Sequence, residues 1–240
     1  MTLVKTKYNR RSFLKVSAAS SGGMVLGFSW LASCNPTKNQ AITMPESWFD
    51  INAFIKIAEN GLVTIFSPNP EIGQNVKTSM PMVVAEELDV AWQNVIVEQA
   101  ALDTQKYERQ TAGGSGSIRR GWQGLRMAGA TARHLLMEAA AKEWAVSISS
   151  LSTSNGIIKH KLTGKTTSYR DMAYNASKLE IPKKIKLKDP KDFKIIGHPT
   201  KNVDGEKIAS GHPLFGLDIK RAGMLISMIE HAPAFGMKLK

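Results

Sequence analysis

Cysteine is nearly absent from this chain of 240 residues, where Cys34 is the only one. A single thiol cannot close an internal disulfide. Aromatic residues are also scarce, at 7%, while hydrophobic residues reach 42%. This composition is typical of a soluble globular protein once the N-terminus is set aside, and the length allows one or two domains with a real core.

The familiar catalytic motifs are also missing. The sequence contains no zinc box, Walker loop, nucleophile elbow or catalytic triad. His134 lies among leucines in a helical pattern, which is typical of a packed or surface histidine. Neither His160 nor His198 has a carboxylate or histidine partner at the spacing of metal ligands. Any chemistry must therefore come from a cofactor.

Acidic residues are outnumbered 20 to 32, which leaves a formal net charge of +12. The excess is local: part lies in residues 1–34, which contain no acidic residue, and part in the run "KLEIPKKIKLKDPKDFK" at 178–194. Two interpretations of that run stay open. In the first, the run is a solvated, partly extended linker. In the second, the run contacts an acidic partner or membrane headgroups.

The first 34 residues predict an export signal, because basic residues precede an apolar run from Val16 to Ala32. Arg10 and Arg11 begin "RRSFLK", which resembles a twin-arginine signal for the export of folded proteins. "LASC" resembles a lipoprotein cleavage box, so Cys34 is either lipidated or incidental. We therefore expect a protein that is periplasmic or anchored to the membrane facing the periplasm, with no nucleic-acid partner.

The remaining pattern predicts an α+β fold. Two β-branched runs flank Asn60-Gly61 and predict a hairpin over 53–66. Apolar residues at helical spacing predict a helix through Leu88, followed by a strand from Val95 to Ala100. A long helix is predicted over 118–145 and a short one over 169–178, in the segment "YRDMAYNASK".

Two loops ahead of these helices are candidate binding sites. Gly73 and Gln74 lie where the first helix begins, and a glycine there lets an anion approach the free N–H groups. The stretch 111–117, "TAGGSGS", precedes the long helix and has the same character. Arg119 and Arg120 follow it, either as a solvated first turn or as phosphate partners.

Three ordered pieces of this chain resemble the molybdopterin-binding large subunits of the xanthine dehydrogenase and aldehyde oxidase superfamily, of the isoquinoline 1-oxidoreductase beta-subunit type. They are "EIGQNVKTSMPMVVAEELDV", "TAGGSGSIRRGWQGLRMAGATARHLLMEAAAKEW" and "SGHPLFGLDIKRAGMLISMIEHAPAFG". The resemblance implies molybdopterin with molybdenum, in its cytosine dinucleotide form. It also implies an iron–sulfur small subunit as partner, together with the remainder of the large subunit.

Matched to the family's motifs, Gly73 and Gln74 belong to its Gly-Gln-Gly, with Asn75 in place of the third glycine. The resemblance gives Gln74 the role of a hydrogen-bonding partner of the pterin or its phosphate region. The other implied cofactor-binding residues form the second loop, in which Ala112 stands where glycine is more usual: Thr111, Gly113, Gly114, Ser115 and Ser117.

The expected organisation is a signal over 1–34, a polar tether over 35–47, a molybdopterin-binding-like domain over 48–160 with strands packed on two helices, a basic linker over 161–199 and the start of an α/β hammerhead domain over 200–240. The family's catalytic glutamate would lie beyond Lys240, so no residue is assigned as catalytic or as a metal ligand. We interpret the chain as part of a much longer subunit or as the product of a truncated gene.

The resemblance implies an exported molybdenum hydroxylase that oxidises an N-heterocycle or an aldehyde with water as the oxygen source. An alternative is a non-catalytic exported lipoprotein or binding module that keeps the fold. A third is a basic surface-binding protein that uses the lysine run.

Overall fold

The computed structural model describes residues 48–107 and 109–237. The chain divides into two compact units, Met1–Met44 and Pro45–Lys240, and all described residues lie in the second. The export residues Arg10 and Arg11 and the predicted lipidation residue Cys34 lie outside the described part. Within that part, no helix has both the length and the apolar character needed to cross a membrane.

The first layer is a four-stranded sheet in the order β1-β2-β3-β4. The strands are β1 (Trp48–Asn52), β2 (Ile55–Ala58), β3 (Val63–Ser67) and β4 (Val95–Gln99). β2 and β3 are antiparallel and form the predicted hairpin, which Gly61 closes with a φ of 85°. β3 and β4 are parallel, so the chain must cross over between them.

The crossover from β3 to β4 contains the helix α1 (Val76–Leu88). After β4 the chain continues into the long helix α2 (Ser117–Trp144). A Cβ on Gly121 would lie 3.3 Å from Met80 Cε, and one on Gly129 would lie 3.1 Å from Leu88 N. A step of eight residues along α2, from Gly121 to Gly129, therefore matches a step of eight residues along α1, from Met80 to Leu88. The helices run in the same direction and begin at the same end.

The close approach of the helices depends on small residues in α2. A Cβ added to Gly129 would lie only 2.3 Å from the carbonyl oxygen of Val84. Between the helices and the sheet lies one apolar core of fully buried side chains, which includes Ile55, Ile65, Met80, Val84, Leu88, Leu135 and Leu136. The fold is α+β, as the sequence predicts.

A second sheet follows, with antiparallel strands β5 (Leu151–Ser154), β6 (Ile157–His160) and β7 (Thr166–Ser168). The helix α3 (Tyr169–Ala176) starts at a capping box in which Ser168 and Asp171 exchange hydrogen bonds. Tyr169 is buried and donates a hydrogen bond to the carbonyl of Leu88 at 2.7 Å. This contact joins the second sheet to the end of α1.

The last described part contains a short helix, α4 (Gly205–Ala209), and a 3₁₀ turn at Gly216–Asp218. No strand is assigned between residues 200 and 237 of the described chain, where large apolar side chains such as Leu225 and Ile229 are exposed. The hammerhead start expected over 200–240 stays a prediction, as do the other domain boundaries.

Candidate functional site

The two predicted binding loops meet at one edge of the sheet. The first leaves the carboxyl end of β3 and leads into α1; the second leaves the carboxyl end of β4 and leads into α2. Because β3 and β4 are adjacent and parallel, both loops follow the same sheet edge, and both helices begin there. In open sheets with parallel strands, this edge is the usual place for a ligand.

Asn69 ties the two loops together from a buried position. Its Nδ2 donates to the carbonyl of Thr111 at 3.1 Å and to Ser117 Oγ at 2.9 Å. Gln110 adds a second link, because its Nε2 donates to the carbonyl of Pro68 at 3.2 Å. Asn69 is absent from the residues that the sequence motifs mark, because its partners lie 42 and 48 residues away and no local pattern indicates them.

The loop before α1 is held by its own side chains. Glu71 Oε1 accepts hydrogen bonds from the N–H groups of Gly73 at 2.7 Å and Asn75 at 2.9 Å, and Oε2 accepts one from Lys77 at 2.9 Å. Gln74 Oε1 accepts from the N–H of Ile72 at 2.6 Å. At this helix start, Glu71 therefore already engages the N–H groups of Asn75 and Lys77, which an anion would otherwise reach.

Within the same loop, Gly73 and Asn75 have left-handed backbone, with φ of 101° and 63°. Asparagine adopts this conformation more readily than most residues, so the turn forms although Asn75 stands where the family pattern has glycine. Gln74 is exposed, and its Nε2 donates to the carbonyl of Pro70 at 3.0 Å. Its amide therefore closes the loop in this structure, and its proposed contact with the pterin stays a prediction.

The loop before α2 is more open. Gly114 and Ser115 have left-handed backbone, and Gly113, Gly114 and Ser115 are exposed. Among the described residues, the N–H groups of Ser117, Ile118 and Arg119 in the first turn of α2 donate no hydrogen bond to a group outside the helix. A helix start with unengaged N–H groups attracts an anion.

The exposed glycines at the two helix starts fit the close approach of a flat or phosphate-bearing group. A Cβ built on Gly73, Gly113 or Gly114 would meet no atom within 4 Å, so the space above each backbone is open. Arg119 and Arg120 are exposed beside the α2 start and form no ion pair with any other described residue. The site therefore offers open backbone, free N–H groups and two nearby cations.

The last described part of the chain borders this site. Lys77 pairs with Asp204 at 2.6 Å, and Thr78 Oγ1 accepts a hydrogen bond from the N–H of Val203 at 3.1 Å. Between them lies a small cavity of about 170 Å³, bordered by residues of both parts, including Glu71, Gln99 and Phe215. Residues 203–204 therefore contact the first turn of α1, next to the loop that contains Glu71.

At the other end of the helix pair lies a buried charge cluster formed by Glu86, Glu87, Asp89, Arg126, Lys188 and Lys194. Glu87 accepts hydrogen bonds from Arg126 Nε at 2.7 Å and from the N–H of Lys188 at 2.9 Å. Lys188 Nζ reaches Glu86 at 3.1 Å and Asp89 at 2.9 Å. The basic run thus docks partly on the chain's own carboxylates, while several other lysines of the run stay exposed.

Hydrogen bonds favour the ionised forms of Glu86 and Asp89. Burial tends to raise the pKa of Glu86, but the N–H groups of Ile195, Ile196 and Lys194, with the Lys188 side chain, lower it below its ordinary value. Burial acts in the same direction on Asp89, and hydrogen bonds from Lys188 and Thr153 again leave its pKa lowered. The cluster is a set of satisfied ion pairs.

His134 and His160 take part in contacts of their own elements and not in the two glycine loops. His134 is half-exposed on α2, 3.7 Å from Glu138, and His160 Nδ1 is 2.8 Å from Thr163 Oγ1. In the part of the chain that the structure describes, no group of three or more histidine, cysteine or acidic side chains could hold a metal ion. The candidate site is thus built from loops and helix starts.

The chain is similar to subunits of known oxidoreductases. The beta subunit of isoquinoline 1-oxidoreductase from Brevundimonas diminuta is 27% identical over 228 residues, which cover 78% of this chain and 29% of the relative. A nicotinate dehydrogenase subunit of Pseudomonas putida is 26% identical over 78% of this chain and 16% of its own length.

A third relative carries a different cofactor in its name. The membrane-bound aldehyde dehydrogenase [pyrroloquinoline-quinone] of Gluconacetobacter polyoxogenes is 26% identical over 97% of this chain. It is matched over 30% of its own length, so the chain spans less than a third of each of these relatives.

The family model that matches is described as a molybdopterin cofactor-binding domain, and it covers residues 4–213. The match includes β1 to α4, with both glycine loops and the residues that join them. It confirms the resemblance that the three sequence motifs indicate. The chain belongs to the molybdopterin cofactor-binding domain family.

Proposed function

We propose that this chain is the cofactor-binding part of a molybdenum hydroxylase large subunit, and that the edge formed by the two glycine loops holds the pterin cofactor. One observation carries the proposal: Asn69 joins two loops that the sequence marks separately, each at the start of one of two parallel helices. Family membership supports the type of cofactor, and the open glycine backbones support close approach of a flat group.

In this proposal, Gly73 and Gly114 let the cofactor lie against the backbone, and the first turn of α2 holds its phosphate groups with help from Arg119 and Arg120. Gln74, Thr111, Gly113, Ser115 and Ser117 complete the site. The bound molybdenum centre would supply the redox chemistry, with water as the oxygen source and an N-heterocycle or aldehyde as substrate.

The finer assignments belong to the same proposal. The pterin carries a cytosine dinucleotide, electrons pass to an iron–sulfur small subunit, and residues beyond this chain supply the catalytic glutamate. Arg10 and Arg11 direct export through the twin-arginine pathway, and lipidation at Cys34 would anchor the protein facing the periplasm. The family resemblance and the motif "RRSFLK" support these assignments.

The test is the cofactor content of the protein isolated from its native cells, with a variant that blocks the site and leaves the fold intact. Gly113 is exposed, and a Cβ there would meet no atom within 4 Å. Gly113→Leu should therefore leave the unfolding midpoint unchanged and lower the bound pterin by about tenfold, because the side chain occupies the ligand's space. Gly124→Leu, on the exposed face of α2, is the matched control.

Molybdenum is measured by elemental analysis and the pterin by the fluorescence of its oxidised form. Pyrroloquinoline quinone is measured in the same samples, because one relative carries that cofactor in its name. A parent protein with quinone and no pterin would contradict the proposal. If Gly113→Leu and Gly124→Leu carry equal amounts of pterin, the loop at 111–117 is not part of the cofactor site.

A further inference from the structure

Glu71 occupies an unusual place for an acidic residue near a helix start. It lies five residues before the first residue of α1, and yet its two oxygens accept from three backbone N–H groups, those of Gly73, Asn75 and Lys77. A capping residue usually satisfies one or two N–H groups of the first turn. Glu71 therefore binds the loop as well as the helix.

The N–H groups that Glu71 binds include both residues of the loop with left-handed backbone, Gly73 and Asn75. Such a backbone is unfavourable for a residue with a side chain, so Asn75 needs surrounding contacts that stabilise it. Glu71 supplies two of these contacts from one oxygen, and the Gln74 side chain supplies two more by binding Ile72 and Pro70.

This arrangement decides which part of the loop a ligand can touch. With Glu71 in place, the N–H groups of Gly73, Asn75 and Lys77 are engaged, and an anion would have to displace a carboxylate to reach them. The backbone of Gly73 nevertheless stays exposed, with no atom within 4 Å of the position of a Cβ. The loop therefore presents a bare glycine surface, while the α2 start keeps its free N–H groups.

We propose that Glu71 is a positioning residue for the cofactor site, which rests on the function proposed above. Its carboxylate takes the place of a ligand anion at the α1 start and holds Gly73 in the left-handed conformation that leaves its backbone open. Glu71 itself makes no contact with the cofactor. The cofactor is bound less well when the loop loses this internal acceptor.

The substitution Glu71→Gln tests this role, because glutamine has the same size but replaces one acceptor oxygen with a donor. It is made in the chromosomal copy, so that the protein is assembled as it normally is. Glu59→Gln is the matched control, since Glu59 is exposed in the β2–β3 turn at 59–62. Glu71→Asp, which keeps the charge on a shorter side chain, is the second variant.

Two properties are measured besides activity. The first is amide hydrogen exchange in peptides that cover residues 71–79, on protein from a strain that cannot make molybdopterin. Exchange there should rise about tenfold in Glu71→Gln and stay unchanged in Glu59→Gln, because hydrogen bonds to a charged acceptor are lost. The second is bound pterin in protein from native cells, which should fall by about tenfold while the protein stays folded.

The outcomes separate the inference from the function on which it rests. If the parent protein carries no pterin, the proposed function fails and the inference fails with it. If the parent carries pterin and Glu71→Gln carries as much, the inference alone is overturned. The inference is also overturned if amide hydrogen exchange in residues 71–79 is the same in Glu71→Gln as in the parent protein. It is overturned as well if both Glu71→Gln and Glu71→Asp lose pterin only because they fail to fold.

Discussion

The two ends of the α1–α2 pair are held together by different kinds of group. At the start of the helices, glycine backbone is exposed, and the joining contacts are made by Asn69 and Glu71 to nearby backbone. At the far end, Glu86 and Glu87 are fully buried and meet cations from α2 and from the basic run. The first end leaves backbone groups available, whereas the second leaves none of its charges without a partner.

The difference shows how charge is used in this fold. Carboxylates near the C-terminal end of a helix oppose its dipole, and burial adds a further penalty, so they persist only with close partners. Arg126 and Lys188 are those partners. The end with the buried carboxylates therefore holds α1 to the basic run, and the glycine-rich end keeps exposed backbone that a ligand can approach.

The largest difference in stability between the two ends is expected when one glycine at each end is replaced by alanine. Gly129→Ala brings a Cβ to 2.3 Å from the carbonyl of Val84, so the helices must separate, and we expect a loss of about 3 kcal/mol or more in unfolding free energy. Gly113→Ala, in the open loop, should change it by about 0.5 kcal/mol. Urea unfolding measures both.

If Gly129→Ala is as stable as the parent protein, α1 and α2 do not pack at the separation described. If Gly113→Ala is the less stable of the two, the glycine loop contributes to the fold rather than offering an open surface.

The next effect compares an arginine at each end. Arg126→Met leaves Glu87 buried without its closest cation, although the N–H of Lys188 still binds it, and we expect a loss of about 2–3 kcal/mol. Arg120→Met, beside the open start of α2, should lose about 0.5 kcal/mol or less, because the side chain is exposed. Thermal unfolding at matched ionic strength measures both, and equal losses would contradict the comparison.

The smallest effect is a dependence on pH at the charged end. The folded-state pKa values of Glu86 and Asp89 are lowered, so their stabilisation is fully present above the ordinary values of 4.5 and 3.8 and is lost as the pH falls through the lowered ones. Asp89→Asn should therefore be less stable than the parent near neutral pH, and the difference should shrink in acid.

Asparagine suits this test because it tolerates the left-handed backbone of Asp89, whose φ is 60°. Urea unfolding at a series of pH values from neutral downward measures the difference. A constant difference across the series would mean that the charge of Asp89 does not hold the basic run.

Much of the fold follows from local patterns in the sequence. Asn60-Gly61 between β-branched runs predicts the hairpin, and the apolar spacing of Met80, Val84 and Leu88 predicts α1. The predicted bounds of α2 and α3 differ from the observed ones by one or two residues. The strands β5 to β7 are not predicted, because each has only three or four residues, too few for a clear alternation.

The sequence also marks both loops of the site but does not show what joins or fills them. Asn69 meets Ser117 across 48 residues, a pairing that only the tertiary fold creates. Glu71 is different, since its partners are local, and an acidic residue just before a glycine turn and a helix start is a usable signal. The buried charges were not predictable, because Glu86 finds Lys188 only 102 residues later.

That long separation also orders events during synthesis. The residues of β1 to α3 emerge before residues 186–196, so the carboxylates at the end of α1 are made well before the lysine and backbone N–H groups that cover them. Contacts between distant parts of a chain form late and slowly. Until the basic run docks, Glu86 therefore lacks all of its hydrogen-bond partners in the folded chain, whereas Glu87 already meets Arg126 of α2.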